Sequence, residues 1–328
     1  MTNDMERVQS FCSAIKKVKE QTFRDIVGQE DVVDNVIIAI VAGGNVLLEG
    51  VPGVGKTRLV RSLSRTLSLP FSRIQFTPDL MPSDVTGTVV IRKDKDGEMV
   101  SEFRRGPIFA NLVLADEINR ATPKTQSAML EVMQEHKVTV ANNTYRLEEP
   151  FFVLATENPI EQDGTYPLPE AQMDRFMFKL VMTFPKNSEL IDIVKMTQKT
   201  MDETAEAAID GAGILEMRAL ASEVPIIDDV LDYAVRLVSG THPEVDGAPS
   251  VARKYIKYGA SPRAAQALVT AAKVRALMNG GFNVSYADID ALAAPVLRHR
   301  IKINYTAINE HLTTDDVISM LVKETTRK

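Results

Sequence analysis

The chain has a single cysteine, Cys12, among 328 residues. No internal disulfide can form, and a reducing compartment fits. The four histidines, His136, His242, His299 and His311, are scattered with no metal-ligand spacing between them. Each therefore reads as a surface or core histidine rather than a ligand. A basic balance is also missing: the formal net charge is -6 and the pI about 5.4. This argues against a general nucleic-acid binder, though it leaves room for a local basic loop. There is no long hydrophobic run. The most apolar stretch, from Val32 to Val51, is broken by Asp34, Asn35, Gly43, Gly44, Asn45, Glu49 and Gly50, so it is no transmembrane span. The opening segment, Met1 to Glu20, is polar and mixed in charge, unlike a signal peptide. A cytoplasmic protein is expected by elimination. No internal repeat or low-complexity segment is visible. What is present is ordinary for a globular chain, with 45% hydrophobic and 25% charged residues. One or two domains are expected, and a large core can be buried without disulfides or metals.

Periodicity divides the chain in two. Met5 to Glu20 and Asp31 to Ala42 read as helices, the second with apolar Val32, Val33, Val36, Ile37 and Ile40. Asn45 to Glu49 is a short buried strand followed at once by a glycine loop, and Arg58 to Leu67 has helical character. Further strands are expected at Phe71 to Phe76, Asn111 to Leu114 and Phe151 to Ala155, with a helix at Thr125 to Gln134. Two β-hairpins are expected. The first runs from Thr88 to Arg104 around a turn at Asp96-Gly97, and the second from Lys137 to Leu147 around Asn142-Asn143. This alternation predicts an α/β fold, a parallel sheet with helices on both faces. From Glu189 onward helical patterns dominate with no convincing strand, and breakers at Pro225, His242-Pro243, Gly247-Ala248-Pro249 and Gly280-Gly281 separate about five helices. A boundary near residues 183–190 is expected, dividing an α/β core (1–185) from an all-α domain (186–328).

Three motifs carry chemistry. Gly50-Val51-Pro52-Gly53-Val54-Gly55-Lys56-Thr57 matches the phosphate-loop pattern in full. Glycines let backbone N–H groups turn toward phosphates at the positive end of the next helix. Lys56 would reach the β- and γ-phosphates, and the Thr57 hydroxyl would hold Mg²⁺. By residue frequencies such a match arises in roughly one chain in a hundred. Here it also lies between a buried strand and a helix, as the mechanism needs. Next, Leu112-Val113-Leu114-Ala115-Asp116-Glu117 ends a buried strand in two carboxylates. Asp116 would hold Mg²⁺ through water and Glu117 would act as general base on an attacking water. Alone the signal is weak, since apolar strands often end in Asp or Glu; after a phosphate loop it is strong. Third, Phe152-Val153-Leu154-Ala155-Thr156-Glu157-Asn158 repeats the design with an amide at its tip. Asn158 could orient the water or touch the γ-phosphate. The lesser alternative is an Asn that caps a turn before Pro159.

The order of these three motifs is similar to AAA+ ATPases. Finer strings resemble the MoxR family: Leu48-Glu49-Gly50-Val51-Pro52-Gly53, then Asp116-Glu117-Ile118-Asn119-Arg120-Ala121. The long run Asn158-Pro159-Ile160-Glu161-Gln162, Gly164 through Gln172 and Asp174-Arg175-Phe176 follows, and Gly259-Ala260-Ser261-Pro262-Arg263-Ala264 completes the set. The resemblance extends from Val27-Gly28-Gln29 to His299-Arg300. It implies an AAA+ core with a five-stranded parallel sheet, an all-α lid, ATP and Mg²⁺ as cofactors, and a homo-oligomeric ring, by family expectation a hexamer. It implies that Asn158 is the sensor-1 residue, that Arg175 is an arginine finger given in trans, and that Arg263 is the sensor-2 arginine, in cis or in trans. It implies that Val27, Gly28 and Gln29 line the adenine pocket. The hairpins, about 86–106 and 137–147, resemble pore-facing inserts, and Arg92, Lys93 and Lys95 near the first tip could touch a client or simply be solvated. Two departures stand out. Val54-Gly55 replaces a common Leu-Ala, and Glu157 sits where Gln is common; neither removes a reacting group.

The function expected is ATP hydrolysis coupled to remodelling, activation or metal loading of a client protein, with a partner carrying a von Willebrand factor A domain. A ring motor of the chelatase or helicase type is the alternative. No added DNA-binding domain supports it, and the Gly-Ala-Phe-Thr-Gly-Ala loop of enhancer-binding activators is absent. A nucleotide-dependent switch with little turnover is a further alternative, disfavoured by the presence together of Lys56, Asp116, Glu117 and Arg175.

Overall fold

Helix α1 (Thr2–Thr22) buries Val8, Phe11, Ile15 and Val18, a stripe at three- and four-residue spacing that gives one apolar face. Helix α2 (Glu30–Ala42) buries Val32, Val33 and every residue from Val36 to Val41, so it is apolar nearly all round and lies inside the molecule. Gly43, at φ 77°, ends it by returning its N–H to Ala39 and Ile40. These elements come from a computed structural model that describes residues 2–93, 98–159, 164–199 and 205–326.

The chain then alternates as expected: β1 (Val46–Gly50), α3 (Lys56–Thr66), β2 (Phe71–Gln75), α4 (Pro82–Thr86), β3 (Gly87–Lys93), β4 (Met99–Arg105), β5 (Leu112–Asp116), a 3-10 turn (Ile118–Arg120) and α5 (Pro123–Glu135). After these come β6 (Lys137–Val140), β7 (Asn143–Arg146), β8 (Phe152–Glu157), α6 (Glu170–Met173) and β9 (Phe178–Met182). Five strands form one sheet in the order β2-β5-β8-β1-β9, every pair parallel. The sheet is buried on both faces. Val46, Leu48, Leu112, Leu114, Phe152 and Leu154 point to the side of α1, α2 and α3. Their neighbours Leu47, Val113, Ala115, Val153 and Ala155 point to the side of α5. The two-residue alternation is the pleat itself. Each Val, Leu or Phe side chain among them contributes roughly 1.5–3 kcal/mol by leaving water. Periodicity places four of the five strands; the fifth is β9, where Phe178, Leu180 and Met182 are buried and alternate with half-buried Lys179 and exposed Val181.

Both hairpins form. β3 and β4 pair over seven residues from Gly87↔Arg105 to Lys93↔Met99. The expected turn at Asp96-Gly97, together with Lys95, lies outside the described residues. β6 and β7 pair up to Val140↔Asn143, so the turn is Ala141-Asn142, one residue earlier than expected. Both turn residues have positive φ, 48° and 67°, the backbone of a two-residue hairpin turn. Phe103 stacks on Tyr145 with ring centroids 4.2 Å apart and so ties one hairpin to the other. Arg92 is held across its own hairpin by Glu102 at 2.7 Å.

The remainder is helical: α7 (Asn187–Lys199), α8 (Gly211–Glu223), α9 (Asp228–Ser239), α10 (Ser250–Tyr255), α11 (Pro262–Met278), α12 (Tyr286–Leu297), α13 (Tyr305–Asn309) and α14 (Thr314–Glu324). There are eight helices among the described residues rather than about five, since α10 and α13 are too short to show a period. One expectation fails here. Ile256–Tyr258 (β10) and Lys302–Ile303 (β11) form a small antiparallel pair inside the helical region. Helix α11 packs on α1, α2, α8, α9 and α12, so the apolar cluster on one sheet face continues into this region. No described helix is long and apolar enough to cross a membrane.

Candidate nucleotide-binding and catalytic site

Strand β1 ends at Gly50 and α3 begins at Lys56, so Val51 to Gly55 is the whole turn between them. Gly53 and Gly55 have φ of 85° and 95°, which L-residues avoid. A Cβ on either would touch nothing within 4 Å, so conformation, not crowding, requires glycine there. Such a turn points successive N–H groups into one concavity, and the start of α3 adds its positive end. Val54 packs back on the core while Pro52 is exposed. Lys56 donates to the Gly50 carbonyl at 2.6 Å and to the Glu157 carbonyl at 3.3 Å, so its ammonium lies between β1 and β8. Thr57 follows in the first turn of α3.

The ends of β5 and β8 bring Asp116, Glu117 and Asn158 to the same sheet edge, because both strands run parallel to β1. Asp116 is 7% exposed. Its Oδ1 accepts the Thr156 hydroxyl at 2.6 Å, and its Oδ2 accepts Nε and Nη2 of Arg73 at 3.0 and 2.6 Å. Glu117 sits at φ 56°. Its N–H donates to the Thr156 hydroxyl at 2.8 Å. Its Oε2 accepts from Gln75 at 2.9 Å and from Arg120 at 3.0 Å, which hold the carboxylate toward β2. Asn158 is buried. The roles of Arg73, Gln75 and Thr156 were missed by sequence. The one signal available was polar Arg73 and Gln75 flanking buried Ile74 on a strand.

Val27, Gly28 and Gln29 lie at this edge too. Gln29 donates to the carbonyl of Thr183, the residue after Met182, which pairs with Gly50. A Cβ on Gly28 would lie 2.8 Å from the Glu189 carboxyl, and φ is 69°, a conformation that favours glycine. Beneath the loop, Glu157, Glu49 and Lys179 occupy β8, β1 and β9, with Glu49 bonded to Lys179. Burial pushes the Glu157 carboxyl above its ordinary range, with Lys179 opposing and Glu49 adding to the rise.

Arg175 and Arg263 are elsewhere. They line a cavity of about 430 Å³ with Gly43, Gly44 and Asn45, at the start of β1. Five residues of strand, about 15 Å, separate that edge from the phosphate loop. Asp174 organises the cluster. It accepts the Ser261 hydroxyl at 2.8 and 2.9 Å, lies 3.5 Å from Arg263 and binds Arg300 at 2.9 Å. Arg300 is 2% exposed and also donates to the carbonyls of Asp174, Phe176, Met177 and Val296. Burial lowers its guanidinium from the ordinary value.

The donors at the loop edge suit a hard cation that shares its shell with phosphates. They are the Thr57 hydroxyl and the Asp116 carboxylate, both oxygen, and a guanidinium already stands on Asp116 as a cation. Among the described residues no group of three or more His, Cys, Asp or Glu could hold a metal by itself.

A family model described as ATPase family associated with various cellular activities (AAA) matches residues 45–178, and an AAA lid domain model matches residues 249–321. The chain is similar to Chaperone MoxR1 of Mycobacterium tuberculosis, with 40% identity over 96% of this chain and 82% of that protein. It is similar to the uncharacterized protein YeaC of Bacillus subtilis, with 43% identity over 92% and 91%. Protein MoxR of Paracoccus denitrificans is 31% identical over 84% and 85%. The crystal structure of a protein assigned as an ATPase in Cytophaga hutchinsonii superposes with a TM-score of 0.90 at 39% identity, covering 98% of this chain and 97% of that one.

Proposed function

The chain belongs to the MoxR-type family of AAA ATPases, and from that premise we propose that it hydrolyses ATP at sites completed by neighbouring copies of itself in a ring. One observation carries the reading. Lys56, Asp116, Glu117 and Asn158 gather at one edge of the sheet while Arg175 and Arg263 lie at the other. Two edges about 15 Å apart cannot serve one triphosphate. In a head-to-tail ring, one copy's arginines meet the next copy's phosphate loop. This favours Arg263, as well as Arg175, acting in trans. A hexamer remains the family expectation.

Within the site, the loop amides and Lys56 hold the phosphates, and Val27 to Gln29 flank the base. Thr57 and Asp116 would hold Mg²⁺, which would supply charge neutralisation on the phosphate oxygens. Glu117 takes the proton from the attacking water once it leaves Gln75 and Arg120. Asn158 orients that water. The neighbour's Arg175 and Arg263 stabilise charge on the transferring phosphoryl group. The chaperone name of the Mycobacterium tuberculosis relative supports a protein client. Hydrolysis would remodel, activate or metal-load it, with the hairpins β3–β4 and β6–β7 as contact points and a partner bearing a von Willebrand factor A domain, in the cytoplasm.

Glu117→Gln tests the chemistry. The variant should bind ATP like the wild type and release phosphate slower by roughly 10²-fold or more. Turnover near the wild-type rate would move the base to another residue.

A further inference from the structure

The carboxylate assigned to the metal already carries a cation. Arg73 directs both Nε and Nη2 at one oxygen of Asp116, at 3.0 and 2.6 Å. The other oxygen accepts the Thr156 hydroxyl. The Asp116 side chain is 10% exposed and that of Arg73 is 42%. The guanidinium thus reaches in from the more solvated side, onto an oxygen with little other access.

The contact continues. Nη2 of Arg73 donates to Oε1 of Gln75 at 2.6 Å, and Nε2 of Gln75 donates to Oε2 of Glu117 at 2.9 Å. An amide has one accepting and one donating end. With Oε1 taken by the guanidinium, Nε2 must face Glu117; turned over, the amide would set donor against donor and acceptor against acceptor. Arg73 therefore fixes the end of Gln75 that grips the candidate base. One chain of bonds joins the two acidic groups, across a strand that precedes them by about 40 residues.

We propose that Arg73 is a placeholder cation: it occupies Asp116 when Mg²⁺ is absent, Mg²⁺ displaces it, and through Gln75 its departure loosens the hold on Glu117. The proposal rests on the nucleotide-site reading above. Two cations a few ångströms apart repel, so the guanidinium and a hydrated Mg²⁺ do not share one carboxylate oxygen. Displacing Arg73 opposes metal binding, and its hydrogen bond to Gln75 passes that displacement to the base. Arg73 is in this sense a positioning residue that ties one of the two holds on the base, Gln75 rather than Arg120, to the arrival of the metal.

The test is a binding measurement with no turnover. A fluorescent N-methylanthraniloyl ADP is titrated into the full chain, first in EDTA and then over a range of Mg²⁺. For Arg73→Ala the Mg²⁺ concentration at half-effect should fall about tenfold, the size expected for a partly exposed charge-assisted pair. Affinity in EDTA should stay within about twofold of the wild type, which also reports that the variant is folded. Gln75→Leu, which removes the support but leaves the cation, should give a smaller fall. The double variant should fall no further than Arg73→Ala alone, because both act through one contact. If Arg73→Ala does not fold, Arg73→Gln is read in the same way. An unchanged or raised Mg²⁺ requirement overturns the proposal. So does a loss of affinity in EDTA, which would make Arg73 a nucleotide ligand. Additive effects would remove the link to Glu117. Failure of the wild type to bind the probe at any Mg²⁺ concentration would instead sink the nucleotide-site reading itself.

Discussion

Glu157 is a carboxylic acid whose chemistry is ill at ease with its place. Its carboxyl is pushed above the ordinary range by burial first, and Glu49 on the next strand adds to the rise. The folded state therefore binds a proton more readily than the unfolded chain. Stability falls as pH rises through the window from the ordinary value, 4.5, to the raised one. Above that window the charged form is a standing cost. Glu157→Gln keeps the shape and removes the charge, and leaves Lys179 its bond to Glu49. It should stabilise the protein at pH 7.5 by about 0.5–1 kcal/mol. The gain should fade as pH drops toward 4.5. Thermal melts of both proteins across that range check it; an equal gain at every pH would show that charge is not the cause.

At the scale of elements, Asp174 joins three pieces of chain: the lead into β9, the start of α11 at Ser261 and Arg263, and the residues after α12 at Arg300. Arg300 is almost fully buried, and Asp174 is its carboxylate partner. Removing one member of a buried pair typically costs about 3–5 kcal/mol. Four carbonyls would still solvate the guanidinium. Asp174→Ala should therefore lose about 2–3 kcal/mol, and Asp174→Asn less, since an amide oxygen can still accept. Denaturant melts would show it, and a loss below about 0.5 kcal/mol would make the cluster merely decorative. None of this was legible in the sequence, although Asp174, Arg263 and Arg300 all fall within strings that resemble the family. Their meeting depends on how α11 and α12 pack on the sheet, with Asp174 and Arg300 126 residues apart. The same limit hid Arg73 from Asp116, because β2 and β5 become neighbours only once the sheet order exists. β10 and β11 escaped because strands of three and two residues carry no period. The phosphate loop, by contrast, is eight consecutive residues whose dihedrals follow from its glycines, so its form could be read directly.

At the scale of the whole molecule, strand direction decides what a single copy can do. All five strands of the sheet are parallel, so everything after a strand gathers at one edge and everything before a strand at the other. Lys56, Asp116, Glu117 and Asn158 follow their strands; Arg175 precedes β9, and Arg263 is tied to that side through Asp174. The sequence motifs implied the roles of these groups but left Arg263 open between cis and trans, since a list of motifs has no edges. If each site takes arginines from the next copy, Lys56→Ala and Arg175→Ala proteins should each be nearly inactive alone. Mixed, they should regain activity, because a site on an Arg175→Ala copy keeps its own Lys56 and borrows Arg175 from a Lys56→Ala neighbour. Random mixing of equal amounts would restore roughly a quarter of the wild-type sites, since such a site needs one of the two proteins in place and the other beside it. Turnover per copy in the wild type should also climb with protein concentration, and the climb should vanish in Arg175→Ala. A mixture no more active than its parts, with wild-type turnover independent of concentration, would mean that a single copy reaches its own phosphates with some other cation. The roughly 15 Å between the two edges makes Arg175, fixed just before β9, unfit for that task, and Arg263 on α11 unfit without a movement of the helical region across the sheet.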